Sequence, residues 1–401
     1  MKRRTFLTSS AGLAAATVLS TSRATEKNDF VAELIPSEIP KSQFKSRLER
    51  AQRLMEAEKL DALIATPGTN FTYFVGYNPG RSERLIAFVM SRDGRAMIVA
   101  PSFEKERIIR RSVVSDIEVW EEQENPYKLA GLVAAKLKVA AGTIGIEPST
   151  AYEDYLRLKQ EMPNASLVDG SPIFDELRMA KSPEELDAIR KAIEITVASI
   201  AATHEKLREE ATEQEVSRIL SSEMGSRGAR GGGLVQFGSS SALPHGGPTG
   251  APLKKGTVVL IDAGCQVDGY TSDITRTMYW GGDAPQKYRE VYSTVFDAQQ
   301  AAATLAKPGV ECQEMDRVGR AVIDKAGYGK YFTHRLGHGL GMDGHELPYL
   351  VEGNSYKLKP GHVVTIEPGI YIPDEFGVRI EDDFVITENG VEQLSPKAHR
   401  I

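Results

Sequence analysis

An α/β domain followed by an α+β domain, the second a curved sheet covered by helices, is the fold class this sequence predicts. Three observations carry that expectation. Apolar, strand-like runs alternate with helical stretches as far as about Gly170, the pattern of an α/β unit. Two strong helix starts follow at Ser182 and Thr212. Beyond them, two acid-bearing β-ribbons occupy residues 257–278 and 363–383, with a histidine-rich stretch between them.

Length and composition suit two globular domains, since 401 residues at 41% hydrophobic and 26% charged can form two cores. The net charge of −6 disfavours a nucleic-acid partner, which would call for a basic stripe. Met1 to Ala24 has a basic start, a short apolar stretch of small residues and the end Ser22-Arg23-Ala24. That is the pattern of a cleavable export signal. Arg3-Arg4 with Phe6-Leu7 resembles the twin-arginine type, which carries folded proteins to the periplasm or out of the cell. The apolar part is too short to span a bilayer, and no other segment is a transmembrane candidate. The expected organisation is export signal 1–24, extended lead-in 25–42, first domain 43–171 and second domain 172–401.

In the first domain an amphipathic helix from Phe44 precedes the strand DALIAT. Strands are expected at LIAFVMS, AMIVAP, IEVWE and TIGIEP, with helices at KERIIRRSV, PYKLAGLVAAKLK and YEDYLRLKQEM. In the second domain Ser182 caps a helix running to about Arg208, with Pro183 at its first position and Glu185 closing a capping box. Thr212 and Glu215 repeat that signature, and Pro285–Ala306 and Cys312–Ala326 supply a second helix pair. Gly225–Gly250 is rich in Gly and Ser but lacks the Lys-Ser/Thr of a phosphate-cradling loop. Nothing in the sequence brings Cys265 and Cys312 together. Cys265 is expected to pack as a small apolar residue.

The ribbons carry the chemistry. TVVLID and the run from Tyr270 to Met278 flank Asp268-Gly269, a two-residue hairpin signal. That turn sets Asp262 opposite Thr275 and puts Asp273 a diagonal step away. Both carboxylates then share a face, roughly 7–8 Å apart at the backbone. In the second ribbon VVTIE ends at Glu367, and after a polar loop VRIEDD returns with Glu381. Arg379 lies two residues before Glu381 and so on the same face. Between the ribbons, HRLGHGLGMDGH holds three of the chain's seven histidines: His334, His338 and His345. Four acids buried together repel strongly unless cations offset them. The stretch therefore reads as a metal site, with His338 as its nitrogen ligand. His204, His362 and His399 read as ordinary surface residues.

At these residues the chain resembles the pita-bread metallopeptidases: methionine aminopeptidase, aminopeptidase P, prolidase and the metal-free creatinase. SSSALPHGGPT, HRLGHGLGMDGHE, TIEPGIY and GVRIEDD resemble the Xaa-Pro-cleaving branch, and the likeness runs from Phe44 to Leu394. It implies a creatinase-like first domain and a pita-bread catalytic domain with a curved antiparallel sheet. It implies two divalent ions on Asp262, Asp273, His338, Glu367 and Glu381, with Asp273 and Glu381 bridging. Four carboxylates and one imidazole suit Mn²⁺ or Co²⁺, although affinity order favours Zn²⁺.

In the same resemblance Glu367 also takes the proton of the attacking water and His345 stabilises the tetrahedral intermediate. His334 lies toward the proline, with Arg379 and His245 behind. The implied substrates are short proline-containing peptides, and the implied assembly is a homodimer or homotetramer. The rivals are a creatinase-like C–N hydrolase of a small guanidino compound and a non-catalytic binding member of the superfamily.

Overall fold

Side chains that alternate along single strands build the first domain on two cores. In the computed structural model, which describes residues 40–247 and 250–401, this domain begins with α1 (Lys41–Ala57), β1 (Ala62–Ala65) and α2 (Thr69–Val75). Then come β2 (Ala87–Ser91), β3 (Ala96–Pro101), α3 (Lys105–Arg111), β4 (Ile117–Trp120) and α4 (Pro126–Lys136). β5 (Thr143–Ile146), α5 (Tyr152–Glu161), β6 (Ser166–Asp169) and α6 (Ser171–Met179) complete it. The strands form one mixed sheet in the order β4-β3-β2-β1-β5-β6. Leu63 and Ala65 of β1 pack with Met55, Phe74, Ile108 and Phe174, whereas Ala62 and Ile64 pack with Val133, Ala134 and Leu158 on the other face.

Most expected elements are present, with differences at the ends. The export-signal reading and most of the lead-in lie outside the described residues. α1 starts at Lys41, inside the expected lead-in. Its cap position holds Pro40, in extended backbone and without a side-chain cap, so no polar signature announces the start. α2 and α6 were not anticipated. At seven and nine residues they are too short to display a helical period.

The second domain opens with α7 (Pro183–Glu205) and α8 (Glu213–Ser226), and both expected capping boxes are formed. α7 stops three residues short of Arg208. Strands β7 (Arg230–Phe237), β8 (Thr257–Val267), β9 (Tyr270–Thr271) and β10 (Ile274–Trp280) follow. Helices α9 (Gln286–Leu305) and α10 (Cys312–Lys325) precede β11 (Gly337–Gly339), β12 (Glu346–Leu350), β13 (Val363–Ile366) and β14 (Gly369–Ile372). The chain ends through β15 (Phe376–Arg379), β16 (Asp382–Ile386) and β17 (Val391–Gln393).

Each helix pair covers one ribbon. Ile189, Ile193 and Leu220 of α7 and α8 pack against Val259, Ile261 and Cys265 of β8. Val295, Ala302, Met315 and Ile323 of α9 and α10 pack against Val364, Ile366, Val378 and Phe384. Both cysteines are free and buried. Burying the apolar faces outward leaves the acid-bearing faces turned inward. The Gly-rich run 225–250, which showed no phosphate-loop signature, contains β7, paired along its length with β8. A side chain there would collide with its neighbour, since a Cβ on Gly233 would lie 2.2 Å from the Asp262 carbonyl oxygen. Among the described residues no helix is long and apolar enough to cross a membrane.

Candidate metal centre

The first ribbon folds as its turn dictates. Asp268 and Gly269 adopt φ of 50° and 83°, the left-handed pair that a tight hairpin needs. Thr275 then lies opposite Asp262, the register expected from the sequence. Asp273 sits in the break between β9 and β10, where its main-chain N–H donates to Oδ2 of Asp383 at 3.1 Å.

The second ribbon is interrupted at its ligands. β13 pairs with β16 through Ile366 and Asp382, and β14 with β15 through Gly369 and Arg379. These pairings share one register, so Glu367 and Glu381 stand opposite each other in the gap. Pro368, which has no N–H, helps open it. A bridge between Thr275 and Glu381 joins the two ribbons.

His338 lies on strand β11, in the middle of the histidine-rich stretch. The glycines beside it admit neighbouring backbone: a Cβ on Gly337 would be 2.0 Å from the Thr365 oxygen, and one on Gly339 2.2 Å from the Leu347 oxygen. Nδ1 of His338 is 3.0 Å from the Gly339 carbonyl oxygen, which requires an Nδ1–H. Nε2 is then an acceptor, yet it faces Glu367 Oε1 at 3.3 Å and Asp273 Oδ2 at 3.8 Å. Three acceptors converging without a donor fit a cation between them.

The five residues line one cavity of about 400 Å³ with Pro244, His245, His334, Arg335, His345 and Arg379. Ligand atoms of Asp262, Asp273 and Glu381 lie within 4.8 Å of one another, as do those of His338, Glu367 and Glu381. Glu381 is common to both sets, so the donors suit two adjacent ions. Burial, followed by repulsion from neighbouring carboxylates, pushes the Asp273 and Glu381 carboxyls well above the usual carboxylate range. Burial also raises that of Asp383. For Glu367 burial opposes ionisation, but the adjacent imidazoles of His338 and His334 and the Arg379 guanidinium outweigh it and hold its pKa below the ordinary value. A divalent cation would offset this crowding.

Arg379 ties the site together. It donates from Nη2 to Asp262 Oδ2 at 2.6 Å, from Nε to Thr275 Oγ1 at 3.1 Å and from Nη1 to Tyr371 OH at 2.8 Å. Thr275 Oγ1 in turn donates to Glu381 Oε2 at 2.6 Å. The Tyr371 hydroxyl lies 2.8 Å from Nε2 of His334, whose Nδ1 lies 2.7 Å from the Arg335 carbonyl oxygen. With both nitrogens engaged, His334 offers its ring to the cavity as an apolar wall. His345 is exposed, its ring centroid 3.9 Å from that of His338. Arg335 Nη2 lies 3.2 Å from His345 Nδ1, which leaves Nε2–H as a donor in the neutral ring. Burial lowers the pKa of both His334 and His345. His245 lies exposed on the cavity wall.

Sequence reasoning missed Thr275, Arg335, Tyr371 and Asp383, whose roles arise from contacts across the fold. Two histidines expected on the surface are not there. His362 is fully buried and His204 half-buried, and burial pulls each pKa down to about 4.

Comparison with known proteins agrees with this geometry. Residues 47–180 match the creatinase/prolidase N-terminal domain and residues 187–388 match metallopeptidase family M24. An Xaa-Pro dipeptidase of Lactobacillus helveticus is 36% identical over 328 residues, covering 80% of this chain and 88% of that protein. The crystal structure of the dipeptidase PepE of Mycobacterium ulcerans superposes with a TM-score of 0.84 at 32% identity, over 90% of this chain and 98% of that one. That of an X-Pro aminopeptidase of Thermotoga maritima gives 0.78 at 30% identity, over 88% and 98%. The chain belongs to metallopeptidase family M24, with a creatinase/prolidase-type N-terminal domain.

Proposed function

We propose that this metallopeptidase hydrolyses the Xaa-Pro bond at the N-terminus of short peptides, as a dinuclear enzyme of prolidase or aminopeptidase P type. The observation that carries the reading is the meeting of Asp262, Asp273, His338, Glu367 and Glu381 at one cavity. These residues would hold two divalent cations, with Mn²⁺ best suited to the oxygen-rich set and Co²⁺ or Zn²⁺ as alternatives. Such ions supply a Lewis acid and lower the pKa of water into the neutral range.

The chain's own groups do the rest. Glu367, kept ionised by its cationic neighbours, accepts the proton of the attacking water. His345 donates from Nε2–H to the oxygen that gains charge in the tetrahedral intermediate. His334, held from behind by the Tyr371 hydroxyl, forms the wall against which a pyrrolidine ring would lie. Arg379 holds Asp262 and, through Thr275, Glu381. Arg335 also lines the cavity, its guanidinium 4.2 Å from the Tyr349 ring centroid. There it can take the terminal carboxylate of a dipeptide.

A length series from Ala-Pro to a pentapeptide, assayed with Mn²⁺ alongside metal analysis, tests the reading. About two bound ions and Xaa-Pro cleavage are expected. A protein that holds no metal and cleaves none of the series would point instead to a creatinase-like C–N hydrolase or a non-catalytic relative. The same proposal has the chain exported through the twin-arginine leader 1–24 and self-associating as a homodimer or homotetramer. Retention of an Arg3→Lys/Arg4→Lys variant in the cytoplasm and light scattering of the pure protein test those two points.

A further inference from the structure

We infer that Arg178 is a positioning residue for His345: from the junction between the domains it clamps the segment that presents the imidazole, with Thr69 of the first domain as a second anchor. His345 stands on Gly341–Glu346, between β11 and the first residue of β12. Two acids of this segment turn to one guanidinium nitrogen. Nη2 of Arg178 lies 2.6 Å from Asp343 Oδ2 and 2.5 Å from Glu346 Oε1. The Asp343 main-chain N–H donates to the same Glu346 oxygen at 2.9 Å. From the first domain, Thr69 Oγ1 donates to Asp343 Oδ1 at 2.6 Å. Lys181 Nζ lies 3.3 Å from Glu346 Oε2.

The clamp therefore grips the chain two residues before His345 and one residue after it. The imidazole itself is exposed, with the His338 ring 3.9 Å away and Arg335 Nη2 at 3.2 Å as its neighbours. On this side lies a second cavity of about 390 Å³, lined by Thr69, Asn70, Arg178, Asp343 and His345 among others. His345 thus borders two open spaces, and the bonds to Asp343 and Glu346 hold the backbone that carries it. Arg178 is itself fixed, since Nη1 donates to Asn70 Oδ1 at 3.1 Å. Its side chain is only 13% exposed, so the bonds form where water competes weakly. A planar fork can hold two carboxylates and an amide oxygen at once, which one ammonium cannot do in the same geometry. The first domain thereby acts on the chemistry through Thr69 and Asn70.

This inference rests on the proposed peptidase in its activity arm alone; its exchange arm reads the clamp directly. Metal-loaded wild type, Arg178→Met, Arg178→Lys and Thr69→Val are compared for kcat and KM on a short Xaa-Pro peptide, for metal content, and for amide exchange across residues 339–347. Arg178→Met is expected to lower kcat on the order of 10- to 100-fold, the cost of misplacing a catalytic group by about 1 Å. KM and metal content should stay near wild type, and faster exchange should be confined to 339–347. Arg178→Lys should recover part of kcat, and Thr69→Val should move both readouts the same way by less. The inference is overturned if kcat of Arg178→Met stays within about twofold of wild type, or if kcat falls while exchange of that segment is unchanged. Should Arg178→Met fail to fold, Thr69→Val and Asp343→Asn decide, and wild-type kcat and exchange in both overturn it. A wild-type protein that cleaves no Xaa-Pro peptide would remove the functional reading and leave the exchange comparison to judge the clamp.

Discussion

Arg379 and Asp262, 117 residues apart in the chain, meet at 2.6 Å between Nη2 and Oδ2. One arises at the end of β15 and the other within β8, so this bond ties the second ribbon to the first. It occupies one oxygen of Asp262 and so fixes the direction of the other. Arg379→Lys keeps the charge but loses the fork that reaches Asp262, Thr275 and Tyr371 together. Mn²⁺ titration should show affinity weakened roughly 10- to 100-fold, as for other partners that orient metal ligands. Affinity equal to wild type would show that Asp262 needs no such support.

Glu367→Gln keeps the shape of the side chain and removes its capacity to accept a proton. Turnover of Ala-Pro should fall by about 10²- to 10⁴-fold, with the thermal transition retained. Metal content measured in parallel separates lost basicity from lost binding. Turnover within about threefold of wild type would remove Glu367 from the proton-accepting role.

Arg335 bears on peptide length. If its guanidinium takes the terminal carboxylate, Arg335→Met should lower kcat/KM for Ala-Pro roughly 10- to 100-fold, the worth of a charge-assisted hydrogen bond. Ala-Pro amide and a pentapeptide should be affected much less. An equal loss on all three would place Arg335 with His345 instead, as its partner at 3.2 Å.

Metal removal should invert part of the pH dependence of stability. In the metal-free protein, Asp273, Glu381 and Asp383 have pKa values raised by burial and by neighbouring carboxylates. The folded state thus holds protons that the unfolded chain releases above about pH 4. That stabilisation is full at low pH and is lost as pH rises through the raised folded values. The melting temperature of protein treated with a chelator should therefore fall as pH rises from about 5 to 8, and added Mn²⁺ should abolish the decline. Equal slopes with and without metal would contradict the ligand assignment.

His362 acts in the opposite direction. Burial, with Lys181 nearby, brings its folded pKa to about 4, against about 6.5 in the unfolded chain. The unfolded state binds the extra proton between these values, so stability is complete above pH 6.5 and is lost as pH falls toward 4. For His362→Gln the acid limb of a denaturant-midpoint profile should flatten, by at most about 3 kcal/mol between the two limits. An unchanged limb would mean that other groups set it.

Local physics accounts for what was legible beforehand. Asp268-Gly269 determined the first hairpin and its register because the turn's backbone preferences act over four residues. The capping boxes at Ser182 and Thr212 formed for the same reason, with cap and partner three residues apart. Asp262, Asp273, His338, Glu367 and Glu381 could be named from their motifs, as could His245, His334, His345 and Arg379. Strands β7 and β11 escaped because glycines carry no apolar alternation, and only the neighbouring backbone explains why glycine is needed there.

By itself, then, the sequence determined the longer helices and most of the apolar strands, where the first ribbon turns and which residue types could bind metal, since each depends on neighbours along the chain. The tertiary structure alone decided that Glu367 faces Glu381 across a broken ribbon and that Asp383 holds Asp273. It likewise decided that His362 is buried and that Arg178 grips the loop of His345. These relationships join segments remote in sequence. Their energies come from exclusion of water and from distances that exist only once the two ribbons and the first domain have packed together.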